Sequence, residues 1–213
     1  MARTFEITRN KTALLIVDLQ NDFVRKDAPL FVEAALKSIP ANQTLLAFAR
    51  QQLMPVIFTK FVSGKTPSLL WNWSPEIASD NCCRRGYERY YPDIGKSELC
   101  TDIIEELKPL TPEDYIIEKY HYSSFRNTNL IDILRSEGVD TVAVAGTVTQ
   151  ICVLDTIQDG FAEGFKMIAI SDCVSTWDEV QQKAVLDNIA HKYGMVMSSD
   201  EFMDILRADN EKS

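Results

Sequence analysis

The sequence predicts an α/β protein built on a parallel sheet. Short, continuous apolar runs recur along the chain, as in strands covered on both faces. Helix-length segments separate them, several stopping at a glycine. The connections are short, which is the signature of strand–helix–strand units with helices on both sides of a sheet.

Thr12-Ala-Leu-Leu-Ile-Val-Asp18 is the first strand, an apolar run ending in an acid. Residues 32–53 read as a helix, with Pro40 marking a boundary or irregularity near Ser38. Pro55-Val-Ile-Phe-Thr-Lys-Phe61 is the second strand and Asp114-Tyr-Ile-Ile-Glu-Lys119 the third. Residues 129–137 form a helix stopped by Gly138. Asp140-Thr-Val-Ala-Val-Ala-Gly146 is the fourth strand, and the helix over 150–163 stops at Gly164. Phe165-Lys-Met-Ile-Ala-Ile170 is the fifth strand, residues 178–193 a helix, and Gly194-Met-Val-Met197 a short sixth strand. Ser199-Ser-Asp-Glu opens a last helix with capping residues, and the polar tail from Ala208 is expected to fray.

Residues 62–97 break this rhythm. They hold Pro67, Pro75, Pro92, Gly64, Gly86 and Gly95 among Trp71, Trp73, Tyr87, Tyr90 and Tyr91. So many aromatic residues argue against disorder. The stretch reads as an ordered excursion, with room for a helical turn, lying over an active site or a subunit interface.

Composition excludes several classes. At 213 residues, 46% hydrophobic and 25% charged, the chain fits one soluble domain spanning 1–213. No apolar run approaches the ~20 residues of a membrane span. Residues 1–11 mix both signs of charge and lack the apolar core of a signal peptide. The balance of 31 acidic against 22 basic residues, net −9, is wrong for nucleic acid or an anionic membrane. Five cysteines without paired CxxC spacing fit a reducing cytoplasm, not a disulfide framework.

Open parallel sheets bind ligands at the carboxyl ends of their strands. There the first strand offers Asp18, the third Lys119, and the fourth leads through Gly146 to Cys152 at the start of a helix. An acid, an amine and a thiol suit acyl transfer. An ammonium and a helix N-terminus stabilise a thiolate, Asp18 can take and return a proton, and turn amides can hold an oxyanion. Singly, each has a plainer role: Asp18 in a turn, Lys119 in solvent, Cys152 as a small core hydrophobe. His121 and His191 are the only histidines, and His121 leaves a Cys–His dyad open.

Leu15-Ile-Val-Asp-Leu-Gln-Asn-Asp-Phe23 resembles the opening motif of the isochorismatase-like cysteine hydrolases. Glu118-Lys-Tyr-His-Tyr-Ser-Ser-Phe125, with Thr128-Asn-Leu and Leu134-Arg-Ser-Glu-Gly138, resembles that family's lysine block. Ala145-Gly-Thr-Val-Thr-Gln-Ile-Cys-Val153, with Thr156 and Ala162, resembles its nucleophile block. Three blocks in order across roughly residues 12 to 175 are specific, where a lone VDxQNDF would not be. The resemblance implies a three-layer Rossmann-like fold with a six-stranded parallel sheet. It implies a catalytic triad of Asp18, Lys119 and Cys152, a cis peptide at Thr147–Val148, and an oxyanion hole from the amides of Val148 and Cys152. It also implies a homodimer or homotetramer.

Departures narrow the chemistry. Nicotinamidases in the family hold a metal through an Asp-x-His pattern and a further histidine. Thr59-Lys-Phe-Val-Ser-Gly lacks that pattern and no histidine precedes His121, so no metal and no other cofactor is expected. Isochorismatases cleave a vinyl ether without a nucleophilic cysteine, so Cys152 favours C–N hydrolysis of a small linear amide or ureido compound. The lysine block also resembles the isochorismatase version. Ether hydrolysis with Asp18 as general acid, or a catalytically silent protein, are the alternatives. Phe23, Trp71, Trp73, Tyr122 and Phe125 are candidate substrate contacts, each equally readable as packing. Arg84, Arg85 and Arg89 could clamp a substrate carboxylate, though a solvated role suits each better. Cys82, Cys83, Cys100 and Cys173 read as structural, Cys173 lying beyond the fifth strand.

Overall fold

The computed structural model describes residues 4–210. β1 (Thr12–Val17) is buried along its whole length, as its unbroken apolar run requires. Leu14 and Ile16 face one side of the sheet; Ala13, Leu15 and Val17 face the other. After a short α1 (Asn21–Val24) comes α2 (Glu33–Gln51), then β2 (Val56–Phe61). Within the excursion lie α3 (Leu69–Trp73), α4 (Glu76–Ser79) and an antiparallel hairpin of β3 (Glu88–Tyr91) and β4 (Lys96–Leu99). The chain continues through β5 (Tyr115–Lys119), α5 (Leu130–Ser136), β6 (Thr141–Thr147), a π-helical turn (Thr149–Val153) and α6 (Leu154–Ala162). β7 (Lys166–Ser175), α7 (Glu179–Lys192), β8 (Gly194–Met197) and α8 (Ser199–Asn210) complete it. No helix among the described residues is long and apolar enough to cross a membrane.

β5, β2, β1, β6, β7 and β8 form one parallel sheet in that order. The six-stranded α/β fold is the predicted one. One core packs α2 and α8 against one face, and a second packs α5, α6 and α7 against the other. The chain winds outward from β1 in both directions, so the switch point lies between β1 and β6, where such sheets bind ligands.

Four expectations need correction. Pro40 does not interrupt α2, which runs through it; Ala35, Ile39, Leu45, Leu46 and Ala49 bury the helix in the core, and that packing outweighs the missing N–H. The fifth strand extends past Ile170 to Ser175, because a bulge opposite Val144–Gly146 returns it to pair Thr147 with Ser175. Cys173 therefore lies within β7, not beyond it. The excursion holds two short helices, in keeping with the helical turn allowed for, and a hairpin that was not anticipated. The tail stays helical through Asn210, and residues 211–213 lie outside the described part.

Candidate active site

Asp18 follows β1 at the switch point. Its backbone is left-handed, φ 52°, a conformation Asp tolerates better than most residues. Its amide donates to the Thr59 carbonyl at 3.3 Å, and the Gln20 amide donates to the Asp18 carbonyl at 2.8 Å, so the chain turns sharply. Beside it, Gly146 on β6 pairs with Val17. A Cβ at Gly146 would lie 2.0 Å from the Val17 oxygen, and its φ is +112°. Only glycine lets β6 run this close to β1 and deliver the next residues alongside Asp18.

Lys119 ends β5, which β2 separates from β1. Two strand spacings are about 9.6 Å, a gap that a lysine stem can bridge. Lys119 Nζ donates to Asp18 Oδ2 at 2.6 Å, to the Tyr122 carbonyl at 2.8 Å and to the His121 carbonyl at 3.2 Å. Thr59 on β2 donates its hydroxyl to Asp18 Oδ1 at 2.8 Å. Both carboxylate oxygens are thus held, and the ion pair is fully buried.

Cys152 sits in the π-helical turn ahead of α6, and Lys119 and Asp18 are the charged groups that act on its thiol. The three groups that the strand-end reading singled out meet in space. Burial pushes the Cys152 thiol up to about 12; Lys119 pulls it down and Asp18 pushes it up. Burial thus works against the thiolate that the Lys119 ammonium favours. Burial also works against the charge on Lys119, but Asp18 and Cys152 outweigh it and its pKa is raised. Cys152 is 3% exposed, so the set is closed to bulk water in this conformation. A cavity of about 830 Å³ lies elsewhere, at the β8 edge beside α7 and α8, and none of the three lines it.

The Thr147–Val148 peptide is cis, as the resemblance implies. Thr147 Oγ1 donates to the Ser175 carbonyl at 3.1 Å, tying β6 to β7 just before the turn. Thr156 on α6 accepts from the Ser124 amide at 2.9 Å, which fixes the loop after Lys119 against the helix that follows Cys152.

The remaining candidates scatter. Phe23 is buried in the core beside α2, and Trp71 packs against the same core. Trp73 is 79% exposed. Tyr122 is partly buried, and its carbonyl holds Lys119. Phe125 packs against Phe165 at 5.8 Å between ring centroids. The exposed His121 ring meets Asn127 at 3.1 Å, whereas the charged neighbours of Cys152 are Lys119 and Asp18. Arg89 donates to Asp22 at 2.8 Å and Arg85 pairs with Glu118. Arg84 lends its carbonyl to the Cys100 thiol at 3.3 Å.

Gln20, Asn21 and Asp22 carry a role not assigned from the motif. Gln20 accepts from the Phe61 amide at 2.7 Å and donates to the carbonyls of Phe61 and Thr101. Asn21 donates to the Leu99 carbonyl at 3.0 Å. Asp22 accepts from Arg89, from the Tyr91 hydroxyl at 2.9 Å and from the Cys83 amide at 2.8 Å. The three residues after the turn bind the excursion to the sheet. Thr59 was also missed; it lies two residues inside β2, so a search of strand ends does not reach it.

The isochorismatase domain family model matches residues 12–201, most of the chain, and the chain belongs to that family. It is 30% identical over 218 aligned residues to ureidoacrylate amidohydrolase RutB of Pantoea ananatis, covering 97% of this chain and 86% of that one. A cysteine hydrolase from Pseudomonas syringae pv. phaseolicola superposes with a TM-score of 0.87 at 27% identity, covering 98% of each chain. N-carbamoylsarcosine amidase from Thermoplasma acidophilum superposes at 0.72 with 27% identity, covering 89% of this chain and 97% of that one.

Proposed function

We propose that the protein hydrolyses a C–N bond of a small linear amide or ureido compound, with Cys152 as nucleophile, Asp18 as acid and base, and Lys119 holding Asp18. The observation that carries this is the buried contact of Lys119 with Asp18 at 2.6 Å, with both groups acting on the buried Cys152 thiol. The amidohydrolase relatives support the reaction class.

Because burial disfavours a free thiolate at Cys152, deprotonation and attack belong together. Asp18 takes the thiol proton as sulfur attacks the carbonyl, and the amides of Val148 and Cys152 receive the developing oxyanion. The C–N bond then breaks; Asp18 returns the proton to nitrogen, and ammonia or an amine leaves a thioester. Water, deprotonated by Asp18, attacks the thioester, and the acid product departs as the thiol re-forms. Lys119 keeps its proton throughout, as its raised pKa requires. Substrate entry requires the cover over Cys152 to part, and the excursion over 62–97 is the candidate lid. The five free cysteines suit a reducing cytoplasm, and we expect a homodimer or homotetramer.

Cys152→Ala tests this reading. It should lower ammonia release from a panel of small amides and ureido compounds by at least about 10³-fold while leaving the fold intact. Retained cleavage of a vinyl ether by the same variant, with no amide turned over by the parent protein, would overturn the proposal in favour of Asp18-dependent ether hydrolysis.

A further inference from the structure

The two oxygens of Asp18 are held by groups of different kinds. Oδ2 takes a charge-assisted bond from the Lys119 ammonium at 2.6 Å. Oδ1 takes a bond from the neutral Thr59 hydroxyl at 2.8 Å. Asp18, Thr59 and Lys119 are all buried, so both bonds are made out of contact with bulk water.

The anchors come from different strands. Lys119 ends β5, and Thr59 lies on β2, between β5 and β1. Thr59 is also the strand partner of Val17, and its carbonyl accepts from the Asp18 amide at 3.3 Å. One residue thus grips Asp18 through both backbone and side chain. Its side chain has little freedom of its own, because a β-branched residue is stiff about its first torsion. A hydroxyl has one hydrogen to give, and here it goes to Oδ1.

This second grip decides where the carboxylate points. The outer torsion of an aspartate is soft, so a bond at Oδ2 alone leaves the carboxylate plane free to pivot. A bond at each oxygen fixes the plane. Lys119 does not supply both, since its three N–H groups go to Oδ2 and to the carbonyls of His121 and Tyr122. The two bonds also make the oxygens unequal. An ammonium opposes a proton on Oδ2 more than a neutral hydroxyl opposes one on Oδ1. Oδ1 accepts one bond and keeps a lone pair for that proton.

We infer that Thr59 is a positioning residue that aims Asp18 Oδ1, the oxygen that takes the Cys152 proton and returns it to the leaving nitrogen. The inference rests on the amidase reading and deepens it. In the first step the S–H bond breaks and an O–H bond forms at Oδ1. The sulfur pair bonds to the carbonyl carbon, and the carbonyl π pair moves onto oxygen. In the second step the oxyanion re-forms the carbonyl, the C–N pair leaves with nitrogen, and the Oδ1 proton goes to that nitrogen. Thr59 keeps its own hydrogen throughout and acts through Asp18.

The test separates the hydroxyl from the bulk of the side chain. Thr59→Val keeps nearly the same shape without the hydroxyl, and Thr59→Ser keeps the hydroxyl. Single-turnover ammonia release, kcat and KM are measured for each on the amide that the parent protein turns over fastest. Thr59→Val should slow single-turnover release and kcat at least about tenfold, with KM within about twofold of the parent. Thr59→Ser should return both rates to within about threefold of the parent. Thr59→Ala, which also lacks the hydroxyl, replaces the valine variant if that one does not fold, and the same outcomes apply. A hydroxyl-free variant as fast as the parent, a loss confined to KM, or a folded serine variant as slow as the hydroxyl-free one overturns the inference alone. A parent protein that turns over no amide overturns the amidase reading and the inference with it.

Discussion

At the scale of single residues, the site depends on contacts that tolerate little change. Gly146 is the sharpest case. Gly146→Ala puts a methyl group 2.0 Å from the Val17 oxygen in a left-handed backbone, so β6 must move away from Asp18. We expect a loss of at least about 3 kcal/mol in urea unfolding and no measurable turnover. Gly164→Ala is the control: its φ of +90° is also strained, but nothing lies within 4 Å of its Cβ, so it should cost only about 1 kcal/mol. Equal costs at the two positions would refute the close-approach explanation. Asp18, Lys119 and Cys152, the proposed triad, stood out in the sequence because each ends a strand-like run or follows its turn. Thr59 did not, since a threonine inside an apolar strand looks like any β-branched residue until its neighbour is known to be an acid. The protonation state of Cys152 was illegible for a related reason. Burial decides it, and burial is a property of the packed molecule.

Among elements, α1 and the excursion work as one unit. Gln20 makes three buried hydrogen bonds that join the turn after Asp18 to β2 and to Thr101. Gln20→Leu leaves the Phe61 amide and two carbonyls unpaired, at about 1–3 kcal/mol each. We expect a lower urea midpoint together with faster tryptic cleavage within residues 62–101. An unchanged cleavage pattern would show that the excursion is held by other contacts. The four central strands, β2, β1, β6 and β7, were legible because a buried parallel strand needs an unbroken apolar run. The β3–β4 hairpin was not, since Glu88-Arg-Tyr-Tyr and Lys96-Ser-Glu-Leu carry little apolar pattern and one side of the pair is exposed. Nor was the β7 bulge, which comes from how two strands register and not from the composition of either. Pro40 misled because proline's local cost is visible in sequence, whereas the core contacts that offset it are not.

For the molecule as a whole, buried thiols set the alkaline limit. Burial pushes the Cys100 and Cys152 thiols up to about 12, and Cys83 and Cys173 shift upward for the same reason. Between about pH 9 and 12 the folded protein holds these protons while the unfolded chain releases them. Stability must then fall as pH rises, by up to about 1.4 kcal/mol per pH unit for each group. Lys119 acts in the same direction, since its raised folded pKa adds stability below about pH 10.4 that disappears above its folded value. Urea midpoints should therefore drop between pH 8 and pH 10.5. A flat profile would mean that the thiols titrate normally and are less buried than the structure has them. The fold class was legible at this scale, but the strand order that brings β5, β1 and β6 to one site was not, because pairing partners leave no mark on a single strand.

Lys119 and Asp18 are 101 residues apart, and Cys152 comes later still. A half-made chain emerging from the ribosome thus carries an acid, an amine and, eventually, a sulfhydryl that are each chemically ordinary. On the proposed mechanism, a product truncated ahead of position 152 lacks the attacking sulfur and is expected to be inert rather than indiscriminately active.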